Sequence, residues 1–221
     1  MNGRMPLSKR EAVELLARGG GPVVAGGTDL MVKRRRWAGV SPAIAEDAVY
    51  VANLRELSAV KRNGDTVEIG ATATLSQLLL IPFVPELLKA AIRVTASPAI
   101  RNAATLAGNL ANASPAADPA LALLCLDAVV RLESASGVRD VQVRGFATGP
   151  GRTVHRPDEL IVAILVPADA GSVVRFEKVG GRKADAIAKV AFAGSVRVED
   201  GVVTAFSAAF GAVGPTAVRD P

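Results

Sequence analysis

Residues Val23-Val24-Ala25-Gly26-Gly27-Thr28-Asp29-Leu30 read VVAGGTDL. An apolar pair runs into two glycines, a hydroxyl and a carboxylate, and then into MVKRRRW (Met31–Trp37). This is the pattern of a short strand, a tight turn and a helix start. Two adjacent glycines carry no Cβ, so something can come close to the main chain there, or φ can turn positive. A strand leading into a helix start also points free N–H groups at an anion. Such a turn becomes a site only if a second segment supplies the rest of it.

The bulk composition narrows what that site can be. The chain has 221 residues, of which 50% are hydrophobic, enough for one large domain or two small ones around a real core. No apolar stretch is long enough to span a membrane, and the opening MNGRMPLSKREAVELL lacks the apolar region of a secretory signal. The single cysteine, Cys125, and the single histidine, His155, exclude an internal disulfide and a thiolate-bound cluster in this chain. They also speak against a histidine-based metal site or a Ser-His triad. A reducing cytoplasm is the expected compartment. The formal charge is +5, and the one dense basic run is KRRRW at Lys33–Trp37. Aromatic residues make up 4%, too few for a base-stacking platform, so nucleic acid is not an expected partner. The basic run reads as an exposed face at a helix end, with Trp37 packing there or at a subunit contact.

Working outward from the glycines, SKREAVELLARGGG (Ser8–Gly21) has apolar residues at Ala12, Val13, Leu15 and Leu16. Ser8 and Glu11 stand at capping-box spacing and glycines close the segment, so it is a helix. PVVAGG is a short strand, Asp29 to about Arg36 a second helix, and AVYVAN (Ala48–Asn53) a second strand. DTVEIGA reads as a strand after an Asn-Gly-Asp turn; TLSQLLL and PELLKAAIRVTA read as helices. SPAIRNAATLAGNLANASPAADP (Ser97–Pro119) shows little periodicity and reads as a long structured loop, a kind of element that is often functional. PALALLCLDA is an apolar helix in which Cys125 is an inert core thiol. VVRLESASGVRDVQV is a hairpin and ELIVAILVP a buried strand. SVVRFEKV, AIAKVAFAGSVRV and VVTAFSAAFGAV are three more strands, the last two joined at Glu199-Asp200-Gly201. The expected class is α+β. The expected division is an α/β unit over residues 1–55, a mixed sheet with helices over 56–170, and a last sheet unit over 171–221.

The second glycine-bearing segment, Ile100–Asp118, reads IRNAATLAGNLANASPAAD. Thr105, Asn109 and Ser114 offer hydrogen bonds there. Two such segments can grip one extended ligand, and neither has Rossmann or P-loop spacing. With these residues in place, the chain resembles the FAD-binding subunits of the molybdenum hydroxylases, the group of xanthine dehydrogenase, carbon monoxide dehydrogenase and aldehyde oxidoreductase. AGGTDL (Ala25–Leu30) is similar to that family's first flavin loop, Ile100–Asp118 to its second, and FEKVGGRKADAIAKVAFAGSVRV (Phe176–Val198) to a later segment.

The resemblance implies a two-part FAD-binding fold of the PCMH type followed by a C-terminal sheet domain that is incomplete relative to the family, with part of its sheet uncovered. It implies FAD on this chain, [2Fe-2S] clusters on a small partner and a molybdopterin on a large one. Electrons would pass from the clusters through FAD to an acceptor such as NAD. The alternatives are a stand-alone flavin reductase or oxidase and a flavin-free assembly subunit.

Carried over residue by residue, Val23, Val24, Ala25, Gly26, Gly27, Thr28, Asp29 and Leu30 would wrap the pyrophosphate. Thr105, Leu106, Ala107, Gly108 and Asn109 would form the second loop. LAGN departs from the family's GGN, and the Ala107 methyl would matter if φ were positive there or if the flavin were in contact with it. Asp118 reads by itself as a helix N-cap with Pro119 at the first helical position; the resemblance makes it an FAD contact too. Ile161 is core or flanks the flavin, and Lys178 would place a cation near it. Thr95 matches a contact position, and Asp185 and Ile187 match the segment near the acceptor. Arg101 and Asn102 would orient the second loop. No residue is expected to be a catalytic acid or base, His155 included, and no metal site is expected.

Overall fold

The computed structural model describes residues 3–35, 37, 39, 47–169, 171 and 173–220. The chain begins with α1 (Lys9–Ala17), whose Ser8 cap accepts the Glu11 N–H at 3.1 Å. The Glu11 carboxylate accepts the Leu7 N–H at 2.8 Å, so the capping box closes one residue early. Ala12, Val13 and Leu16 of α1 are buried. β1 (Val23–Val24) pairs in parallel with β2 (Val49–Tyr50), and α2 (Leu30–Lys33) lies between them in sequence. α2 is shorter than the Asp29–Arg36 expectation, and Arg36 lies outside the described residues.

A five-stranded antiparallel sheet follows in the order β3-β4-β9-β5-β6. Its strands are β3 (Val60–Asn63), β4 (Thr66–Gly70), β5 (Val129–Ser134), β6 (Gly137–Gln142) and β9 (Leu160–Pro167). β3 escaped the sequence pattern because VKRN is an edge strand of exposed polar residues. The two-stranded ribbon β7 (Ala147–Gly149) and β8 (Arg152–Thr153) precedes β9. β9 is the middle strand and is nearly buried throughout. Leu160 and Val162 join the core under α1, while Ile161, Ile164 and Val166 join the main core. A bulge opposite Arg131 and Leu132 inserts one residue and re-phases the alternation, so ELIVAILVP shows no period of two.

Between β4 and β5 run α3 (Leu75–Leu80), α4 (Glu86–Arg93), α5 (Pro98–Arg101), α6 (Leu106–Asn112) and α7 (Asp118–Cys125). Two of these correct the long-loop reading of Ser97–Pro119. Ser97 caps α5 by accepting the Ile100 N–H at 3.4 Å, and Thr105 caps α6 by accepting the Gly108 N–H at 3.1 Å. The Gly, Asn, Ser and Pro scattered among the alanines of this segment interrupt the helical period and disfavour a helix interior. Caps and packing of Leu106, Ala107 and Leu110 into the core hold α6 in place.

The last sheet is antiparallel, in the order β10-β11-β12-β13: β10 (Val173–Gly180), β11 (Ala188–Glu199), β12 (Val202–Gly211) and β13 (Val218–Arg219). Its inner face, with Ala188, Ala191, Ala193 and Ala209 buried, lies on α4 and α7 and belongs to the same core as the five-stranded sheet. Its outer face carries Val190, Phe192, Phe206, Phe210 and Val218, and Phe206 is 62% exposed. An apolar face left bare was the expectation for this sheet. Among the described residues no helix is long and apolar enough to cross a membrane.

One buried ion-pair cluster fastens β6 to the start of β9. Glu159, 1% exposed, accepts from Arg139 Nε (2.5 Å) and Nη2 (2.8 Å) and from the Arg156 N–H (2.8 Å). These donors, the Arg139 side chain first, hold its pKa down to about 2, from 4.5, against the opposing effect of burial. A depressed carboxylate contributes stability above its unfolded pKa and loses it as pH falls through the folded value. Glu159→Gln is therefore expected to cost about 1–3 kcal/mol at neutral pH. It should also flatten the acid limb of the stability curve between pH 4.5 and about 2, which urea unfolding across pH measures.

Candidate functional site

The two glycines of the opening stretch do different work. A Cβ built on Gly26 would lie 1.9 Å from the carbonyl oxygen of Ala103 and 2.6 Å from its carbon. Main chain packs directly on main chain, and only glycine fits. Gly27 has room for a Cβ but a φ of +67°, which side-chain-bearing residues adopt at a cost. Its carbonyl accepts the Met31 N–H at 2.9 Å and so starts α2. Val23 and Val24 form β1, Ala25 to Thr28 the turn, and Leu30 the first residue of α2; Asp29 is exposed and pairs with Lys33 at 3.0 Å.

The second segment meets this turn through Ala103. It is locked in turn to a third segment that the sequence reading missed. Thr74 and Thr105 form an antiparallel bridge, the Leu75 N–H reaches the Ala104 carbonyl at 2.9 Å, and Ser76 Oγ donates to Asn102 Oδ1 at 2.6 Å. Thr74 also caps α3 in a full capping box with Gln77. That Thr-x-x-Gln spacing was the available signal. Residues 25–27, 74–76 and 102–105 thus form one cluster, with the first turns of α3 and α6 side by side. The Lys33 ammonium bonds Asn112 and ties α2 to α6.

Within the second motif, Ala107 is helical, buried in the core and not among the positive-φ residues. The departure from the family's glycine therefore carries no backbone strain. Gly108 is exposed, and a Cβ there would meet only Thr105 Oγ1, at 3.1 Å. Its bare side is not needed by the rest of the chain. Asn109 Oδ1 accepts the Ala120 N–H at 3.2 Å and binds α6 to the first turn of α7.

Asp118 does not cap α7. Ala117 holds that position, and Asp118 and Pro119 are the first two helical residues. The carboxylate turns to Lys178 of β10, with Oδ2 2.6 Å from Nζ, and Nζ also donates to the Val94 carbonyl at 3.1 Å. Both side chains are buried, at 4% and 10% exposure. Burial pushes the Asp118 pKa up, and the Lys178 hydrogen bond and charge pull against it, as does the nearby Thr95. The Thr95 hydroxyl lies 2.8 Å from the Ala91 carbonyl, and Asp118 Oδ1 is buried without a hydrogen-bond partner among the described residues. Beside the pair opens a cleft of about 380 Å³ lined by Val94, Phe176, Lys178, Arg182, Asp185 and Ala186. Arg182 donates to the carbonyls of Ala184 (3.0 Å) and Asp185 (2.9 Å), and Asp185 has φ +49°.

Ile161 is a core residue of β9 opposite Leu132, and Ile187 is exposed. Arg101 holds the carbonyls of Thr95 (2.7 Å) and Ala96 (2.9 Å). Cys125 is buried beside Ser207, with its pKa raised by that burial. His155 Nε2 lies 2.7 Å from the Glu159 carbonyl, in the ion-pair cluster. Among the described residues no His, Cys, Asp and Glu group could hold a metal ion.

Residues 4–169 match the model of the FAD binding domain in molybdopterin dehydrogenase, and residues 175–221 match that of the CO dehydrogenase flavoprotein C-terminal domain. The chain belongs to this flavoprotein family. It is similar to the nicotinate dehydrogenase FAD-subunit of Eubacterium barkeri, with 36% identity over 87% of this chain and 66% of that one. Similarity to the carbon monoxide dehydrogenase medium chain of Hydrogenophaga pseudoflava is 32% over 97% of this chain and 75% of that one. A solved structure of the Hydrogenophaga carbon monoxide dehydrogenase superposes with a TM-score of 0.90 at 30% identity, covering 99% of this chain and 77% of that one. The chain thus spans about two thirds to three quarters of the length of these relatives, which are dehydrogenase flavoprotein subunits. The family's FAD-binding fold followed by a C-terminal sheet domain is the α+β architecture described above.

The residues present fit the family's cofactor on two observations. Gly108 leaves bare main chain facing outward, and Asp118 Oδ1 is a buried acceptor awaiting a donor. The glycine roles separate by substitution in the chain without flavin. Gly26→Ala is expected to cost about 2 kcal/mol or more by overpacking, and Gly27→Ala about 1–2 kcal/mol through its φ. Ala107→Gly should lower stability by about 0.5–1 kcal/mol, because a helical residue is replaced by glycine. Thermal and urea unfolding of the three variants check the ranking.

Proposed function

We propose that this chain binds FAD along the contact of its two glycine segments and serves as the electron-transfer subunit of a molybdenum hydroxylase. The observation that carries the reading is the main-chain contact of Gly26 with Ala103. It brings the AGGTDL turn and the second motif, distant in sequence, to one place. Val23–Leu30 and Thr105–Asn109 would line the diphosphate, which would take the backbone N–H groups that the cap and helix bonds of Gly108 and Asn109 leave free. Asp118 and Lys178 would hold the ring, and Ile161 would support it from the core rather than touch it. The two binding units are residues 1–55 and 56–170, and the sheet of 171–221 completes the site by supplying Lys178.

When bound, FAD would supply one- and two-electron redox chemistry. This chain's residues bind and orient the cofactor, and the Arg182–Asp185 turn keeps one side of the cleft open. The [2Fe-2S] clusters and the molybdopterin would sit on a small and a large partner chain, because this chain holds one cysteine. NAD or another small acceptor would take the electrons at the cleft. The single cysteine fits a cytoplasmic location.

The purified chain, stripped of ligand, is expected to take up FAD and show a bound-flavin visible spectrum. A colourless protein that ignores added FAD would overturn the reading. Gly108→Ala sharpens the test, since alanine favours the helix by up to about 1 kcal/mol. The new Cβ would press on the capping Thr105 Oγ1 at 3.1 Å, so the flavin-free chain should stay within about 1 kcal/mol of its stability, while FAD binding weakens about tenfold or more. Unchanged affinity would remove Gly108 from the site.

A further inference from the structure

The outer face of the last sheet is built like the middle of an interface. The ladder register places Phe192, Val196, Phe206 and Phe210 on the two central strands, β11 and β12, all on the side away from α4 and α7. Three of the chain's six phenylalanines therefore stand on one face. Phe206 is 62% and Phe210 39% exposed, and the Phe192 and Phe210 rings lie 5.5 Å apart. Exposed apolar side chains scattered singly are ordinary, but a contiguous patch marks a contact surface. The charges that the register puts on this face, Arg175 and Glu177, stand on the edge strand β10 and pair with each other. An apolar, aromatic centre with a polar rim is the make-up of a protein–protein contact.

We propose that two copies of the chain meet through this face, packed sheet on sheet about a twofold axis. Area, charge and position select a second copy as the occupant. The half-exposed phenylalanines and valines of the face amount to on the order of 700 Å² per copy, close to the roughly 800 Å² per partner of a standard interface. The chain carries a net charge of +5, yet Arg175 and Glu177 cancel on this face. Two copies therefore meet here without like charges opposed, and neither charge is buried unpaired. A twofold axis through the aromatic centre repeats every contact, so one apolar face supplies both sides. Sheets that pack in this way lie about 10 Å apart with their side chains interdigitated. The contact also leaves the rest of the molecule free. Lys178 and the cleft lie toward the inner side, with α4 and α7, so the dimer keeps the cleft and both glycine segments open. The proposal does not depend on the flavin reading.

Sedimentation equilibrium of the full chain tests it. The unmodified chain is expected to form a closed dimer with a Kd of about 1 µM or tighter. Phe206→Glu puts a charge into the centre of the face at a side chain that is exposed in the single copy. It spares the fold of the single copy and should weaken the dimer about a hundredfold or more. Val202→Glu is the control. Val202 is 63% exposed on the same hairpin, but a register shift after Arg197 puts it, opposite Glu199, on the other side of the sheet. It should leave the dimer within about twofold of its affinity. Far-UV circular dichroism checks that both variants fold. A monomer at every concentration overturns the proposal, as does a dimer that survives Phe206→Glu or is broken by Val202→Glu. A series of ever larger species shows a contact that does not close and overturns the twofold arrangement. The mass of the unmodified chain decides even if a variant does not fold.

Discussion

Gly26 sits so close to the Ala103 carbonyl that a single added methyl would overlap it. From that contact the rest of the site follows. It presses the turn after β1 against the segment between α5 and α6. The Thr74–Thr105 bridge and the Leu75–Ala104 hydrogen bond carry the same junction to α3. Loops that meet through side chains can drift by a rotamer; loops that meet through main chain cannot. The outward main chain of Gly108 is thereby held in place relative to the turn at residues 25–28, the kind of preorganisation a binding site needs.

The two family modules behave as one body around this junction. The alanine face of the last sheet lies on α4 and α7 within the main core, and short side chains let those helices come close. The Lys178–Asp118 pair crosses the same boundary. A buried pair of this kind adds little net stability over apolar residues. Its value lies in placement: it ties the last sheet to the first turn of α7. The opposite face of the sheet, with Phe192 and Phe210 rings 5.5 Å apart, stays apolar and exposed.

Much of this was readable from the residues. Ser8 with Glu11 located α1, and ELIVAILVP located the central strand. The two motifs of Ala25–Leu30 and Ile100–Asp118 located the family and two segments that the fold brings into contact. What escaped did so for physical reasons. Helices α5 and α6 are built from small and polar residues and exist through caps and packing, so periodicity was silent. β3 is a polar edge strand. The sequence offered Asp118 and Pro119 as a cap, yet the carboxylate found a better partner in Lys178, sixty residues away. That pairing, like the contact of Gly26 with Ala103, depends on tertiary placement that no local pattern encodes. At Ala107 the methyl costs no backbone strain, because the position is helical.

The central claim is that two separated glycine segments hold one cofactor together. Amide hydrogen exchange of the chain with and without FAD tests it most directly. The account predicts that protection rises together at residues 25–30 and 105–109 on adding FAD, with a smaller rise at the start of α7. Protection confined to one segment, or arising elsewhere while both stay unchanged, would contradict it.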